Sequence, residues 1–342
     1  MKRILLIRMI GLGDVASILV PALRLVRARE PGAAVSVLTY AAGVELMTLL
    51  PEVDALLAVQ REQWPDDLHA AIRSFTDIAR VVDAQGFDEI VNLDTWFMPC
   101  YLARLLRDCG RNVSGNFLNQ SLAELGLNLQ RGRLDAEFFR LPARFLASTF
   151  PAMADWTIPW WEKYPDSGAY PEFYLNHCCG WEGRLDCALS VAPDQALRNE
   201  AAGRPVIAVS LSGSKATKQY RMADLLRAEL ERTGYFVWTG FDGSVPMAQT
   251  LGRLAASDLL VTVATSTQWL ARLVGCPALV IPGPLPPRVL GAQAVVDRVQ
   301  NCQYCYQSTC VANLDFACMD VPPAHVVGKV REFLSSEAPA RY

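Results

Sequence analysis

The sequence predicts an α/β protein of two doubly wound domains, each a parallel sheet covered by helices. Short apolar runs alternate with helix-spaced stretches over residues 4–106, the alternation lapses over 111–189, and it resumes at Val206. Uninterrupted apolar runs between amphipathic helices are what parallel strands buried on both faces require. The length, 342 residues, exceeds one ordinary domain and gives each of two enough chain to bury its own core. The expected division is 1–190 and 191–342. The junction falls in a linker at 192–204, where Pro193-Asp194-Gln195, Arg198, Glu200 and Gly203 interrupt the apolar pattern.

Taken in order, Ile4-Leu5-Leu6-Ile7 is a first strand and 15–26 a helix, because Val15, Ile18, Leu19, Leu23 and Val26 fall on one helical face. Pro21 lies inside that stretch. A ring without an N–H costs ~3 kcal/mol in a helix interior, so the helix is expected to kink there or to start later than Val15. Residues 35–39 read as a second strand, 44–50 as a helix, and 55–59 as a third strand after the turn Pro51-Glu52-Val53-Asp54. Helical periodicity over 67–84 precedes a buried strand at 87–94 and a helix at 97–106.

The lapse at 111–189 concentrates Trp156, Trp160, Trp161, Tyr164, Tyr170, Phe173, Tyr174 and Trp181 among prolines and glycines. These rings either pack under long loops, the reading favoured here, or line an acceptor pocket. The second half supplies strands at 206–211, 235–239, 259–263 and 278–281, with helices at 222–233, 247–255 and 267–274 between them.

Hydrophobic residues make up 51% and charged residues 20%, a globular balance, and no apolar run reaches the roughly 18 to 20 residues of a membrane span. The basic and then apolar start runs directly into Gly11-Leu12-Gly13-Asp14 without a small-residue cleavage site, so it reads as a strand and points to the cytoplasm. A net charge of −3 lacks the footprint of a nucleic-acid binder. Arg24, Arg27 and Arg29 are the compact basic group that work at the periphery of an inner membrane would use; they read more simply as a solvated helix face.

Gly13-Asp14, directly after the first strand, is the most informative feature. Ligands of open α/β sheets sit at the carboxyl ends of strands, so Asp14 at a helix N-terminus either caps that helix or presents a carboxylate base. Lys2-Arg3-Ile4-Leu5-Leu6-Ile7-Arg8, Gly11-Leu12-Gly13-Asp14-Val15, Pro21-Ala22-Leu23-Arg24 and Val35-Ser36-Val37-Leu38-Thr39 together resemble the opening of glycosyltransferase family 9, the heptosyltransferase-like enzymes. The resemblance implies GT-B architecture, two Rossmann-like domains facing each other across a cleft. The first would bind the acceptor and the second the nucleotide sugar. It makes Asp14 the catalytic base and counts Gly13 among the donor-binding residues.

After the strand at 206–211, Ser212-Gly213-Ser214-Lys215-Ala216-Thr217-Lys218-Gln219-Tyr220 combines two lysines with a small-residue turn whose N–H groups can approach phosphate. The alternative is a solvated loop. By the resemblance, Lys218 stands where the family has the lysine that contacts the sugar-nucleotide pyrophosphate, with Ser212 and Gly213 in its turn and Lys215 a further candidate. Val261-Thr262-Val263-Ala264-Thr265-Ser266-Thr267-Gln268-Trp269-Leu270-Ala271 resembles the family signature Asp-(Ser/Thr)-Gly-x-x-His-(Leu/Ile)-Ala, with Ala264 at the Asp position, Ser266 at the Gly and Trp269 at the His. Thr265, Ser266 and Thr267 keep hydroxyls and backbone donors at a helix start, suited to a diphosphate, whereas Ala264 changes which sugar the site would accept. Gly283-Pro284 resembles the family turn that closes the donor site.

Ten cysteines include one spaced set, Cys302, Cys305, Cys310 and Cys318, with the ligand count of a tetrahedral zinc or iron site. Reduced thiols or disulfides are the alternative. A similar cysteine-rich segment followed by Met and Pro, here Cys318-Met319-Asp320-Val321-Pro322, occurs in the autotransporter heptosyltransferases of the resembling family. Cys178, Cys179 and Cys187 read as small buried hydrophobes, and His69, His177 and His325 form no local motif.

The expected function is an inverting, metal-ion-independent glycosyltransferase that moves a heptose-like sugar from an ADP-heptose-like donor to an acceptor hydroxyl. The resemblance implies lipopolysaccharide biosynthesis as the setting. The acceptor would be a glycan, a protein or a small molecule, the loop at 302–318 would hold a structural zinc or iron, and no redox cofactor is expected. Homo-oligomers are compatible with this reading. Two alternatives stand beside it: the same fold with a non-heptose donor and a protein or small-molecule acceptor, and a catalytically inactive sugar-nucleotide-binding or assembly protein.

Overall fold

Residues 4–7 are fully buried, as a strand covered by helices on both faces must be, and the first sheet is assembled outward from them. The computed structural model describes residues 1–9, 11–298 and 300–336. They form two units, one of 171–186 with the described residues up to 167, the other of 168–170 with the described residues from 187 on. In the first unit, β1 (Arg3–Ile7), β2 (Ala34–Tyr40), β3 (Ala55–Val59), β4 (Glu89–Asn92), β5 (Val113–Leu118) and β6 (Leu146–Ser148) lie in the order β3-β2-β1-β4-β5-β6. Neighbours are parallel except β5 and β6, and Leu5 sits in register between Ser36 and Ile90. The chain winds outward from β1 to β3, then returns to place β4 on the other side of β1. That reversal opens a crevice at the carboxyl ends of β1 and β4.

The first helix, α1 (12–29), joins a short α turn, a π turn at Val15–Leu19 and an α segment at Val20–Arg29. Pro21 is the second residue after the π turn. Its missing N–H and its clash with the carbonyl four residues back would break a regular ladder, and the wider π turn absorbs both. The helix therefore starts at Leu12, earlier than expected. Arg24 and Arg27 on this helix are not a solvated face: they pair with Glu52, Asp186 and Asp54 and are only 17% and 23% exposed.

α2 (Ala41–Met47), α3 (Leu68–Ala84), α4 (Phe97–Asp108) and α5 (Leu122–Gln130) complete the first unit. Phe75 and Ile78 of α3 share a core with Tyr101, Leu102 and Leu106 of α4. The stretch 111–189 is more regular than the sequence suggests, since it holds β5, α5 and β6. Its rings pack on one another, Trp160 stacking on Phe173 at 4.1 Å with both buried.

The expected linker is also structured. α6 (Gln195–Ala201) is capped by Asp194, whose Oδ1 accepts from the Leu197 N–H at 3.0 Å. Arg198 grips Asp258 through two 2.9 Å bonds, and Asp258 accepts from the Val206 N–H at 2.7 Å. The second sheet contains β7 (Val206–Ser210), β8 (Phe236–Trp238), β9 (Leu259–Val263), β10 (Ala278–Ile281) and β11 (Ala294–Val295), all parallel, in the order β11-β10-β9-β7-β8. Its order reverses between β7 and β9. α7 (Ala223–Arg232), α8 (Met247–Ala255), α9 (Ser266–Leu273) and α10 (Pro323–Ser335) accompany it. Both units are doubly wound α/β, the fold class that the sequence predicts. Among the described residues, no helix is long and apolar enough to cross a membrane.

Because Asp194 starts a real helix at the junction, Asp194→Ala should lower unfolding stability by about 1 kcal/mol, the usual loss for an N-cap. Chemical denaturation checks this, and an unchanged midpoint would mean that 192–204 behaves as linker.

Candidate active site

At the crevice of the first sheet, the chain turns at Gly11, whose φ of 85° is strained for any side-chain-bearing residue. Its carbonyl accepts from the N–H groups of Asp14 and Val15 at 2.8 and 3.0 Å and so starts α1. Asp14 lies in the first helical turn, at the N-cap position of the π turn that follows, yet its side chain makes no cap hydrogen bond to that turn. Its Oδ2 pairs with Arg8 Nη2 at 2.9 Å. The Arg8 side chain is 1% exposed and that of Asp14 29%, so one end of the pair is sealed and the other reaches solvent. A Cβ at Gly11 would stand 3.1 Å from Asp14 Oδ2. Gly11, more than Gly13, is thus the glycine that this turn requires.

A buried guanidinium needs several partners. Arg8 also donates to the Leu93 carbonyl and stands 5.3 Å from the ring centroid of Tyr174. The Tyr174 hydroxyl donates to the same carbonyl at 2.7 Å and accepts from Asn116 Nδ2 at 3.1 Å. Asp94, fully buried, accepts from the N–H groups of Met9 at 2.7 Å, Thr95 at 2.9 Å and Trp96 at 3.2 Å. Arg8 and Asp94 together tie the carboxyl ends of β1 and β4. Sequence reading passed over Arg8, although a charged residue closing an apolar strand was the available signal. It also missed the pairing of His177 with Asp155 at 2.9 Å, where a Tyr164 hydroxyl bond helps hold the Asp155 carboxyl below its usual range; residues this far apart in sequence leave no local motif.

In the second unit, the candidate donor residues gather where β7 and β9 diverge. Thr262 Oγ1 donates to the Ser210 carbonyl at 2.8 Å, and Ser210 Oγ meets Thr267 Oγ1 at 3.0 Å. The turn after β7 closes when the Lys218 N–H donates to the Lys215 carbonyl at 2.8 Å and that of Tyr220 to Leu211 at 3.0 Å. A Cβ on Gly213 would lie 2.8 Å from Lys218 Cβ and 3.0 Å from Thr265 Cγ2, so glycine is what lets these two segments approach. Thr265 occupies the cap position of α9 without a side-chain capping bond. Thr265 and Ser266 are half-buried, Ser212 and Lys215 are exposed, and Thr267 is buried with its hydroxyl turned down to Ser210. Thr267 therefore braces the turn from beneath. Gly283 lies under the same turn, against the Met319 side chain and near the Thr217 carbonyl.

The cysteine-rich loop, distant in sequence, leans on this turn. The Tyr306 N–H donates to the Pro284 carbonyl at 2.9 Å, Tyr220 Oη donates to Val321 at 2.6 Å, and Arg221 binds Asp315 and Asp320 at 2.6 and 3.0 Å. Tyr304, Tyr306, Asn313, Asp315 and Phe316 all have left-handed φ, a cost of order 1 kcal/mol each. Burial pushes the Cys318 thiol up to about 11, and Cys305, Cys302 and Cys310 act on it in the same direction. Backbone N–H groups of Phe316, Leu314 and Ala312 lower that of Cys310. Four thiols have the donor chemistry of a zinc or iron site. Among the described residues, however, no three His, Cys, Asp or Glu side chains are assembled as ligands. Cys178, Cys179 and Cys187 are buried, as expected.

No protein-family model and no curated protein matches the sequence. Solved structures do match. A family 9 glycosyl transferase from Veillonella parvula aligns over 97% of this chain and 96% of its own, at a TM-score of 0.65 and 16% identity. The E. coli ADP-heptose lps heptosyltransferase II aligns over 97% and 98%, at 0.60 and 14%. TibC, an iron-containing dodecameric glycosyltransferase from enterotoxigenic E. coli, aligns over 97% and 75%, at 0.56 and 11%; it is also known in complex with ADP-D-beta-D-heptose. Over nearly its whole length, this chain has the fold of the family 9 glycosyltransferases.

Proposed function

We propose that the chain is an inverting glycosyltransferase that uses an ADP-linked, heptose-like sugar donor, with the first unit receiving the acceptor and the second the donor. The Arg8–Asp14 pair carries this reading: the carboxylate is charge-paired, makes no cap bond to the π turn it precedes, and reaches solvent at the carboxyl edge of the sheet. Asp14 takes the proton of the acceptor hydroxyl while that oxygen forms a bond to the anomeric carbon. The bond from that carbon to the diphosphate breaks on the opposite face, and the nucleoside diphosphate leaves with the electron pair. Lys218, the Gly213 turn and the backbone N–H groups at the start of α9 stabilise the charge that grows on it. The donors named for the structural neighbours support an ADP-linked sugar. Ala264, buried at the end of β9, offers no carboxylate to a sugar hydroxyl and favours, as a second reading, a non-heptose donor.

Asp14→Asn should lower turnover by ~10² to 10⁴-fold, the usual contribution of a general base, while leaving ADP affinity nearly intact. Near wild-type turnover with chemistry rate-limiting would remove Asp14 from the mechanism. Lys218→Ala should weaken ADP by ~1.5 to 3 kcal/mol and adenosine far less, as expected for a charge-assisted phosphate contact. Equal weakening of both by calorimetry would mean that Lys218 does not read phosphate.

We further propose that Cys302, Cys305, Cys310 and Cys318 close around a structural zinc or iron, which would draw together a loop now held in strained backbone. The iron-containing neighbour supports this assignment. Elemental analysis of protein purified without added metal should find about one ion per chain, the stoichiometry of a four-thiolate site. A value near zero with four readily alkylated thiols would contradict it.

A further inference from the structure

We propose that Trp96 is the platform on which a sugar ring of the acceptor stacks. This rests on the glycosyltransferase reading and narrows the acceptor class to carbohydrate. Residues 91–100 are buried with a single exception, Trp96, which is 54% exposed. A lone exposed hydrophobic residue is ordinary, and Val81 on α3, Leu127 on α5 and Leu141 need no explanation. Trp96 differs in its place. It stands four residues beyond β4, at the crevice where the strand order reverses, and precedes α4 with extended backbone. Its N–H is held by Asp94, whose other oxygen holds Met9, and the preceding Leu93 carbonyl is gripped by Arg8, the partner of Asp14. The indole is therefore carried on a backbone fixed to the same framework as the candidate base.

A sugar ring has hydroxyls around its rim and C–H groups on its faces. A flat, rigid indole suits such a face because it offers large apolar area at the entropic cost of only two torsions. A hydroxyl on the rim would then face the solvent-reaching side of the Asp14 carboxylate, which is 29% exposed. An extended polypeptide acceptor would call for backbone hydrogen-bond partners instead, and among the described residues of this turn the N–H groups of Thr95 and Trp96 are already taken by Asp94.

The test uses the 342-residue chain labelled with 5-fluorotryptophan, with Trp96→Phe assigning the Trp96 fluorine signal among the eight tryptophans. Methyl glucoside, methyl galactoside, methyl mannoside and lactose are titrated at millimolar concentrations, with ADP binding to each variant as the control for folding. At least one saccharide should move the Trp96 signal saturably. When that saccharide serves as acceptor, Trp96→Ala should raise its KM on the order of tenfold, and Trp96→Phe should recover most of the loss. A Trp96 signal that no saccharide moves, or an acceptor KM unaltered in Trp96→Ala, overturns the platform. Loss of the parent reading would register elsewhere, as failure to bind ADP or as donor turnover untouched in Asp14→Asn.

Discussion

A guanidinium taken out of water at the end of β1 constrains everything around it. Burying Arg8 costs several kcal/mol unless its charge is met, and the chain answers that charge from three directions: Asp14 from α1, the Leu93 carbonyl from the end of β4, and the ring of Tyr174 from the segment at 171–186. This accounts for the return of 171–186 to the first unit. Tyr174 is itself buried and bonded to Leu93 and Asn116, so one cation organises the edge of the sheet and presents a single carboxylate to solvent.

The second unit solves the same topological problem with neutral groups. Its strand order also reverses, and hydroxyls of Ser210, Thr262 and Thr267 knit the ends of β7 and β9. Neutral donors leave room for the negative charge of a diphosphate, which Lys218 and the start of α9 would answer. The loop bearing the four cysteines rests on this turn through Tyr306, Met319 and Arg221. Order in that loop and order in the donor turn are therefore linked, although 302–318 lies far along the chain from Lys218.

Much of this was legible in sequence because strand burial and helix amphipathicity are local signals. The strands at 55–59, 259–263 and 278–281 and the helix at 247–255 fall where periodicity puts them. β5 was hidden because Gly115 and Asn116 are poor strand formers whose place is set by tertiary contact. The π turn before Pro21 reflects a competition between ring sterics and helix packing that spacing cannot decide. At the candidate site, Asp14 and Lys218 stood out in sequence through their place after strands together with the family resemblance. Arg8, Asp94 and Gly11 were not, because their roles depend on partners brought from elsewhere in the fold or on a backbone angle.

If Arg8 and Asp14 act as one unit, their losses must not add. The decisive measurement is a double-mutant cycle on turnover of the nucleotide sugar, comparing Arg8→Gln, Asp14→Asn and the double variant, each first shown to be folded. Residues that work together are strongly non-additive, so the double variant should be no slower than Asp14→Asn alone. Losses that multiply would contradict the account, because Arg8 would then support activity by some route that does not pass through Asp14.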